Sequence, residues 1–153
     1  MEPVKTKIEK LKKKQADALL GGGKDKIQSQ HDLHKMSARE RLHLLYDNGF
    51  YDEMYQFVEH SATKFGMAGK HLPADGVVTA LGGVNGRLAY ASSQDFTVMG
   101  GSVGKMHAWK ICEVMQMALK NGAPYIAIND SGGARIQEGI DSLRGYGDIF
   151  YHN

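Results

Sequence analysis

Asn129-Asp130-Ser131-Gly132-Gly133-Ala134-Arg135-Ile136-Gln137-Glu138-Gly139 is the stretch from which the rest of the chain is read. It follows Ala123-Pro124-Tyr125-Ile126-Ala127-Ile128, a short apolar run of buried-strand type. Its Ile136, with Ile140 and Leu143 beyond it, has spacings of four and three that predict a helix. Two glycines therefore sit where a strand ends and a helix is expected to begin. A backbone turning there leaves N–H groups unpaired at the positive end of a helix. Such a place suits a bound anion, or an oxyanion formed during reaction. The residues alone leave a second reading open, in which the glycines only permit a tight turn.

Upstream, Gly76-Val77-Val78-Thr79-Ala80-Leu81 and Arg87-Leu88-Ala89-Tyr90-Ala91-Ser92 flank Asn85-Gly86, a strong hairpin signal. A further strand is expected to reach Phe96 and Val98. Gly100-Gly101-Ser102-Val103-Gly104 then opens a helix running to about Lys120, closed by Gly122 and Pro124. Ala108, Ile111, Cys112, Met115, Ala118 and Leu119 mark its buried face. Earlier, residues 4–20 read as a helix with Ile8, Leu11, Gln15, Ala18 and Leu19 near one side, ended by Gly21-Gly22-Gly23. A polar linker follows. Ser37 and Glu40 form a capping-box pattern ahead of a helix carrying Leu42, Leu45 and Tyr46, which stops near Asn48-Gly49. Residues 50–60 are expected to be a strand. Strands alternating with helices late in the chain predict a layered α/β architecture. The last helix has barely formed at Asn153, so the chain reads as the first part of a larger domain.

Composition narrows the function. A chain of 153 residues can enclose one core, and its 42% hydrophobic and 24% charged residues are ordinary globular values. A net charge of +2 argues against a nucleic-acid binder. Lys5, Lys7, Lys10, Lys12, Lys13 and Lys14 read as a solvated helix face. The single cysteine, Cys112, excludes an intrachain disulfide and suits a reducing compartment; with no signal peptide or membrane span in view, cytoplasm is expected.

Several motifs fail on spacing. Only three residues separate Gly100 from Gly104, and Met106 follows Lys105, so this is not a Walker loop. Asp130-Ser131-Gly132-Gly133 lacks the elbow pattern and a histidine tied to the serine, so a serine nucleophile is not expected. His31 and His34 lie three apart without partners, so no metal is expected. Cys112, Met106, Met115, Met117, Trp109 and Tyr125 read as packing residues.

The run from Asn129 to Ile149 closely resembles the carboxyltransferase subunits of biotin-dependent enzymes: propionyl-CoA carboxylase β subunits, methylmalonyl-CoA decarboxylases and transcarboxylases. Met36-Ser37-Ala38-Arg39-Glu40-Arg41-Leu42, Gln94-Asp95-Phe96-Thr97-Val98, Gly100-Gly101-Ser102 and Met106-His107 extend the resemblance over roughly residues 30 to 153. It implies a crotonase-like fold, a spiral of ββα units that is incomplete here. Residues 1–35 would be an N-terminal helix and linker, and 36–153 the first part of the N-terminal carboxyltransferase domain; the C-terminal domain is absent from this sequence. The implied reaction moves a carboxyl group between biotin and the α-carbon of a short-chain acyl-CoA, propionyl or methylmalonyl, through an enolate. Backbone amides of Gly132, Gly133 and Ala134 would hold the enolate oxygen. Gly100, Gly101 and Ser102 would shape the CoA region, with Arg39 and Arg41 facing phosphates or pairing on the helix surface; no role passes to Lys105. Biotin would come on a separate carrier protein, since no Met-Lys-Met attachment sequence occurs. Partners would be that carrier and biotin carboxylase or membrane decarboxylase subunits, with the full-length parent a hexamer. Residues 1–153 alone are expected to be inactive. The competing readings are a non-catalytic CoA-binding or assembly protein, and a crotonase-type hydratase or hydrolase using Glu138.

Overall fold

The computed structural model describes residues 2–153. Its sheet has four strands, β1 (Tyr51–Met54), β2 (Val77–Val84), β3 (Arg87–Gln94) and β4 (Tyr125–Ile128), adjacent in that order. The β2–β3 hairpin forms as the sequence predicts, because Asn85 and Gly86 take φ of 51° and 72° and close a two-residue turn. β1 pairs antiparallel with β2, and β4 pairs parallel with β3. A parallel pair needs a crossover, and helix α4 (Lys105–Asn121) supplies it. Gly122 ends α4 in the left-handed region, at φ 60°.

Alternation along β2 builds two cores. Val78 and Ala80 point to α3 (Ala38–Leu45) and meet Leu42, Tyr46, Ala89 and Ala91. Val77 points the other way and meets Ile111 and Met115 of α4. α5 (Ile140–His152) lies on α4, where a Cβ at Gly145 would strike the Ala108 methyl at 2.6 Å.

The helix α3 begins with the expected capping box. Ser37 Oγ accepts the Glu40 N–H at 3.4 Å, and the Glu40 carboxylate accepts the Ser37 N–H at 2.7 Å. His31 also bonds Glu40, and this bond first, then the Ser37 amide, holds its carboxyl below the usual range. Ser37→Ala is expected to cost about 1 kcal/mol, read as a lower urea midpoint with an unchanged m-value.

Some expectations fail for physical reasons. The polar linker contains a helix, α2 (Lys24–Asp32), whose one aliphatic residue, Ile27, leaves no periodic signal. It is held by local bonds, Gln28 to Asp32 and Ser29 to the Asp25 carbonyl. Helix α1 (Val4–Leu19) buries only Ala18, so its lysine face is exposed and its aliphatic side largely so. Strand β1 stops at Met54 instead of reaching residue 60, and Phe96 and Val98 lie in a turn after β3. Leu119 is exposed, one position beyond the buried face of α4. The helix expected after Gly133 starts only at Ile140, after a bridge at Ala134 and a 3-10 turn, Ile136–Glu138. Ile136, Ile140 and Leu143 are accordingly exposed. No helix of the described residues is long and apolar enough to cross a membrane.

Candidate active site

The two glycine-rich segments, thirty residues apart in sequence, lie against each other. The Gly132 N–H donates to the Gly100 carbonyl at 2.8 Å, the Val103 N–H to the Gly133 carbonyl at 2.9 Å, and the Arg135 N–H to the Val103 carbonyl at 2.9 Å. Gly101 has φ 61°, and a Cβ there would lie 2.2 Å from the Asp130 carbonyl oxygen. Only glycine lets the backbones approach so closely. Gly133, at φ 100°, turns the chain over this junction. Its N–H bonds the Ser131 hydroxyl at 3.0 Å. The Ala134 N–H takes no partner among the described residues, and Ala134 is partly exposed. An unpaired amide beside solvent is available to an oxyanion.

The far side of the turn is anchored by Arg135, which is fully buried. Its Nη1 donates to Asp75 Oδ1 at 2.5 Å and Glu138 Oε1 at 2.8 Å. Its Nη2 donates to the Asp75 carbonyl at 3.2 Å and the Ser102 carbonyl at 2.8 Å, and its Nε to Ser102 Oγ at 3.3 Å. One guanidinium thus joins three chain segments through its five donors. The same carboxylates cap α4: Glu138 Oε2 accepts the Lys105 N–H and Asp75 Oδ2 the His107 N–H, both at 2.8 Å. The anion-attracting end of α4 is therefore filled by the protein's own side chains.

Asp75 belongs to a buried turn in which Ala74, Asp75 and Gly76 all have positive φ, at 53°, 49° and 75°. Two consecutive left-handed residues that are not glycine are strained, and such strain persists where surroundings over-determine it. Here they do. Lys110 Nζ donates to the Ala74 carbonyl at 2.9 Å and the Val77 carbonyl at 2.5 Å, and His107 Nδ1 meets the Asp75 carbonyl at 2.9 Å. Burial pulls the Lys110 ammonium down to about 7. Burial, with Arg135 nearby, pulls the His107 imidazole down to about 3. Burial pushes the Asp75 carboxyl up, against the pull of Arg135.

His107 sets a pH dependence. Between its folded value of about 3 and the ordinary 6.5, the unfolded chain binds a proton that the folded chain refuses. Its contribution to stability is complete above about pH 6.5 and is lost as pH falls toward 3, at about 1.4 kcal/mol per pH unit. His107→Gln is expected to flatten that part of the profile, measured by urea unfolding across the acid range.

The structure joins some of the expected residues and separates others. Gly100, Gly101 and Ser102 do meet Gly132, Gly133 and Ala134, but Ser102 is held by Arg135. Arg39 is committed to Glu53 by a forked pair, at 3.0 and 2.8 Å. Arg41 donates to Asp130 Oδ2 at 2.5 Å, and Lys35 to Oδ1 at 3.0 Å. Neither arginine is free for a phosphate, because a partner carboxylate takes each one first. Burial works against the Asp130 carboxylate, but Arg41 and Lys35 outweigh it and hold it below the usual range. Glu138, the acid–base residue a hydratase would need, is spent on Arg135 and Lys105. Ser131 bonds only its own turn. The sequence did not single out Asp75, His107, Lys110 or Arg135 as polar groups of the core; Arg135, two residues after the paired glycines, was the one visible signal.

A cavity of about 470 Å³ opens beside the turn, with Asn129, Ser131 and Gln94 at one side and Ile111, Met115 and Tyr125 among its apolar walls. Cys112 stays buried, and burial raises its thiol to about 11, so it is an inert packing residue.

With this geometry in place, the comparisons with known proteins are consistent among themselves. Residues 29–153 match the carboxyl transferase domain family. The chain is 57% identical over 147 residues to a methylmalonyl-CoA decarboxylase subunit alpha of Propionigenium modestum, covering 96% of this chain and 28% of that protein. It is 54% identical over 147 residues to the mitochondrial propionyl-CoA carboxylase beta chain of Homo sapiens, covering 95% and 27%. Among solved structures it superposes on transcarboxylase 12S, described as a hexamer assembly with methylmalonyl-coenzyme A bound, with a TM-score of 0.96 and 46% identity over 99% of this chain and 30% of that one. The chain thus spans under a third of the length of these relatives. The crotonase-like α/β fold expected from the sequence is the fold of these neighbours.

Proposed function

Because the chain belongs to the carboxyl transferase domain family, matched over residues 29–153, we propose that it forms part of an enzyme moving a carboxyl group between biotin and a short-chain acyl-CoA. Propionyl-CoA and methylmalonyl-CoA are the substrates in view, since the relatives are named for them. The observation that carries this reading is the glycine turn, whose Ala134 amide is unpaired and whose frame is fixed by Arg135.

Loss of the α-proton of the acyl-CoA, or of the carboxyl group of a malonyl-type ester, leaves an electron pair that moves onto the thioester oxygen. Amides already aimed at that oxygen stabilise the charge without reorganising. Among Gly132, Gly133 and Ala134, the first has its N–H engaged by the Gly100 carbonyl and serves as an anchor. Ala134 offers the open N–H, and Gly133 a second one held only by the rotatable Ser131 hydroxyl. The cavity beside Asn129 and Ser131 has room for a short acyl group. Gly100, Gly101 and Ser102 form the other wall of the junction, on the side where the CoA chain would approach.

On this reading biotin arrives as a substrate borne by a carrier protein, and no residue of this chain is assigned to it. The partners are that carrier with biotin carboxylase or membrane decarboxylase subunits, and the full polypeptide assembles as a hexamer in the cytoplasm or against a membrane complex. The relatives include both a carboxylase and a decarboxylase, which run one half-reaction in opposite directions. The test is transfer of labelled carboxyl from methylmalonyl-CoA to free biotin by the full polypeptide carrying this sequence. Label in biotin supports the reading. Label that stays in the thioester, with an intact protein, refutes it.

A further inference from the structure

The strongest unused feature is a chain of bonds that crosses the core from the strained turn to Asp130. His107 Nδ1 lies 2.9 Å from the Asp75 carbonyl, His107 Nε2 lies 3.3 Å from Gln94 Nε2, and Gln94 Oε1 accepts the Asp130 N–H at 2.9 Å. A carbonyl only accepts, so the His107 proton sits on Nδ1. Nε2 is then an acceptor, and the Gln94 amide N–H donates a hydrogen bond to it. That leaves the Gln94 oxygen facing Asp130, the one orientation its N–H can use. A single carbonyl thereby fixes the tautomer of His107 and the orientation of Gln94. His107 is fully buried and Gln94 nearly so, at 0% and 6% exposure, with Gln94 at the edge of the cavity beside the turn.

We propose that Gln94 and His107 are positioning residues for the glycine turn, acting through the Asp130 amide. This rests on the reading of residues 132–134 as the enolate-binding amides. Arg135 fixes the turn from its C-terminal side, and Gln94 fixes it where it leaves β4. Without Gln94 the Asp130 end is held by side-chain ion pairs to Lys35 and Arg41, which constrain the carboxylate and not the peptide plane. The relay works only with a neutral imidazole, because a proton on Nε2 would face the Gln94 amide hydrogens. Burial disfavours the imidazolium most, Arg135 and then Lys110 add to that, and the Asp75 carbonyl bonded to Nδ1 favours it. Neutrality wins, so the relay persists through the physiological range.

The test compares Gln94→Leu and Gln94→Glu with the wild type in the full polypeptide, measuring carboxyl transfer from about pH 5 to 8. Gln94→Leu removes both bonds and is expected to lower kcat about 100-fold with the acyl-CoA KM changed less than about threefold. Gln94→Glu places a carboxylate against the Nε2 lone pair, which a shared proton relieves. Its activity is therefore expected to fall as pH rises relative to the wild type, in which His107 stays neutral throughout this range. Wild-type kcat in Gln94→Leu, or a Gln94→Glu profile that tracks the wild type, overturns the proposal. The Gln94→Glu comparison decides alone where Gln94→Leu does not fold. If the wild type transfers no carboxyl at all, the enzyme reading fails separately. Hydrogen exchange at the Asp130 amide then judges the relay, with about 100-fold faster exchange in Gln94→Leu expected and an unchanged rate overturning it.

Discussion

Arg135→Leu is expected to destabilise the fold by about 3–5 kcal/mol, because it leaves buried carboxylates without their partner. Asp75 and Glu138 are both nearly inaccessible at their side chains, and neither has another cation in contact. The loss reaches further than one pair. Five bonds disappear together, and with them the tie between residue 102, the turn at residue 75 and Glu138 at the end of the 3-10 segment. Arg135→Lys restores the charge but not the planar fork, so it should recover only part of the loss. Urea unfolding of the wild type and both variants checks this. An unfolding free energy for Arg135→Leu within about 0.5 kcal/mol of wild type would mean that the guanidinium is not such a strut.

Gly101→Ala is expected to remove carboxyl transfer, by about 100-fold or more, through misplacement of the turn. The new methyl meets a backbone carbonyl, that of Asp130, which cannot rotate aside as a side chain would. Residues 99–101 and 130–132 must separate, and the Gly132–Gly100 bond breaks. Gly100→Ala is the control. It has a similar φ of 64°, but its Cβ would meet only Phe96, at 4.0 Å. Its effect on stability is expected to stay near the cost of one left-handed alanine, about 1 kcal/mol, with a smaller loss of activity than in Gly101→Ala. Equal loss in both variants would point to backbone conformation instead of close approach.

These two residues also show what the sequence can and cannot reveal. Local chemistry was legible. Asn85-Gly86, the Ser37–Glu40 box, the α4 stripe and Gly122 each act over a few residues, so their signals lie side by side in the chain. The zipping of residues 100–103 onto 132–135 is long-range, and two glycine clusters alone did not say that they touch. Helix α2 escaped because its bonds are polar and local, with no apolar period to read. Most hidden was the charged core. Lysine, histidine, aspartate and arginine at positions 110, 107, 75 and 135 read as surface residues until the fold brings them together, since their burial depends on partners up to sixty residues away. The helix dipole first invoked for the glycine turn proved absent, because α5 starts at Ile140 and the N-terminus of α4 already holds Asp75 and Glu138. The open Ala134 amide, not a helix end, now carries the anion-binding argument.

The most direct test of that argument is a crystal structure of the full polypeptide with a propionyl-CoA analogue whose acyl group is a nitronate, a stable mimic of the enolate. The account predicts a nitronate oxygen within about 3.1 Å of the Ala134 nitrogen, with the Gly133 amide released from Ser131 to join it and the Gly132–Gly100 bond intact. A nitronate bound elsewhere, or facing side chains while the Ala134 amide stays unpaired, would contradict it.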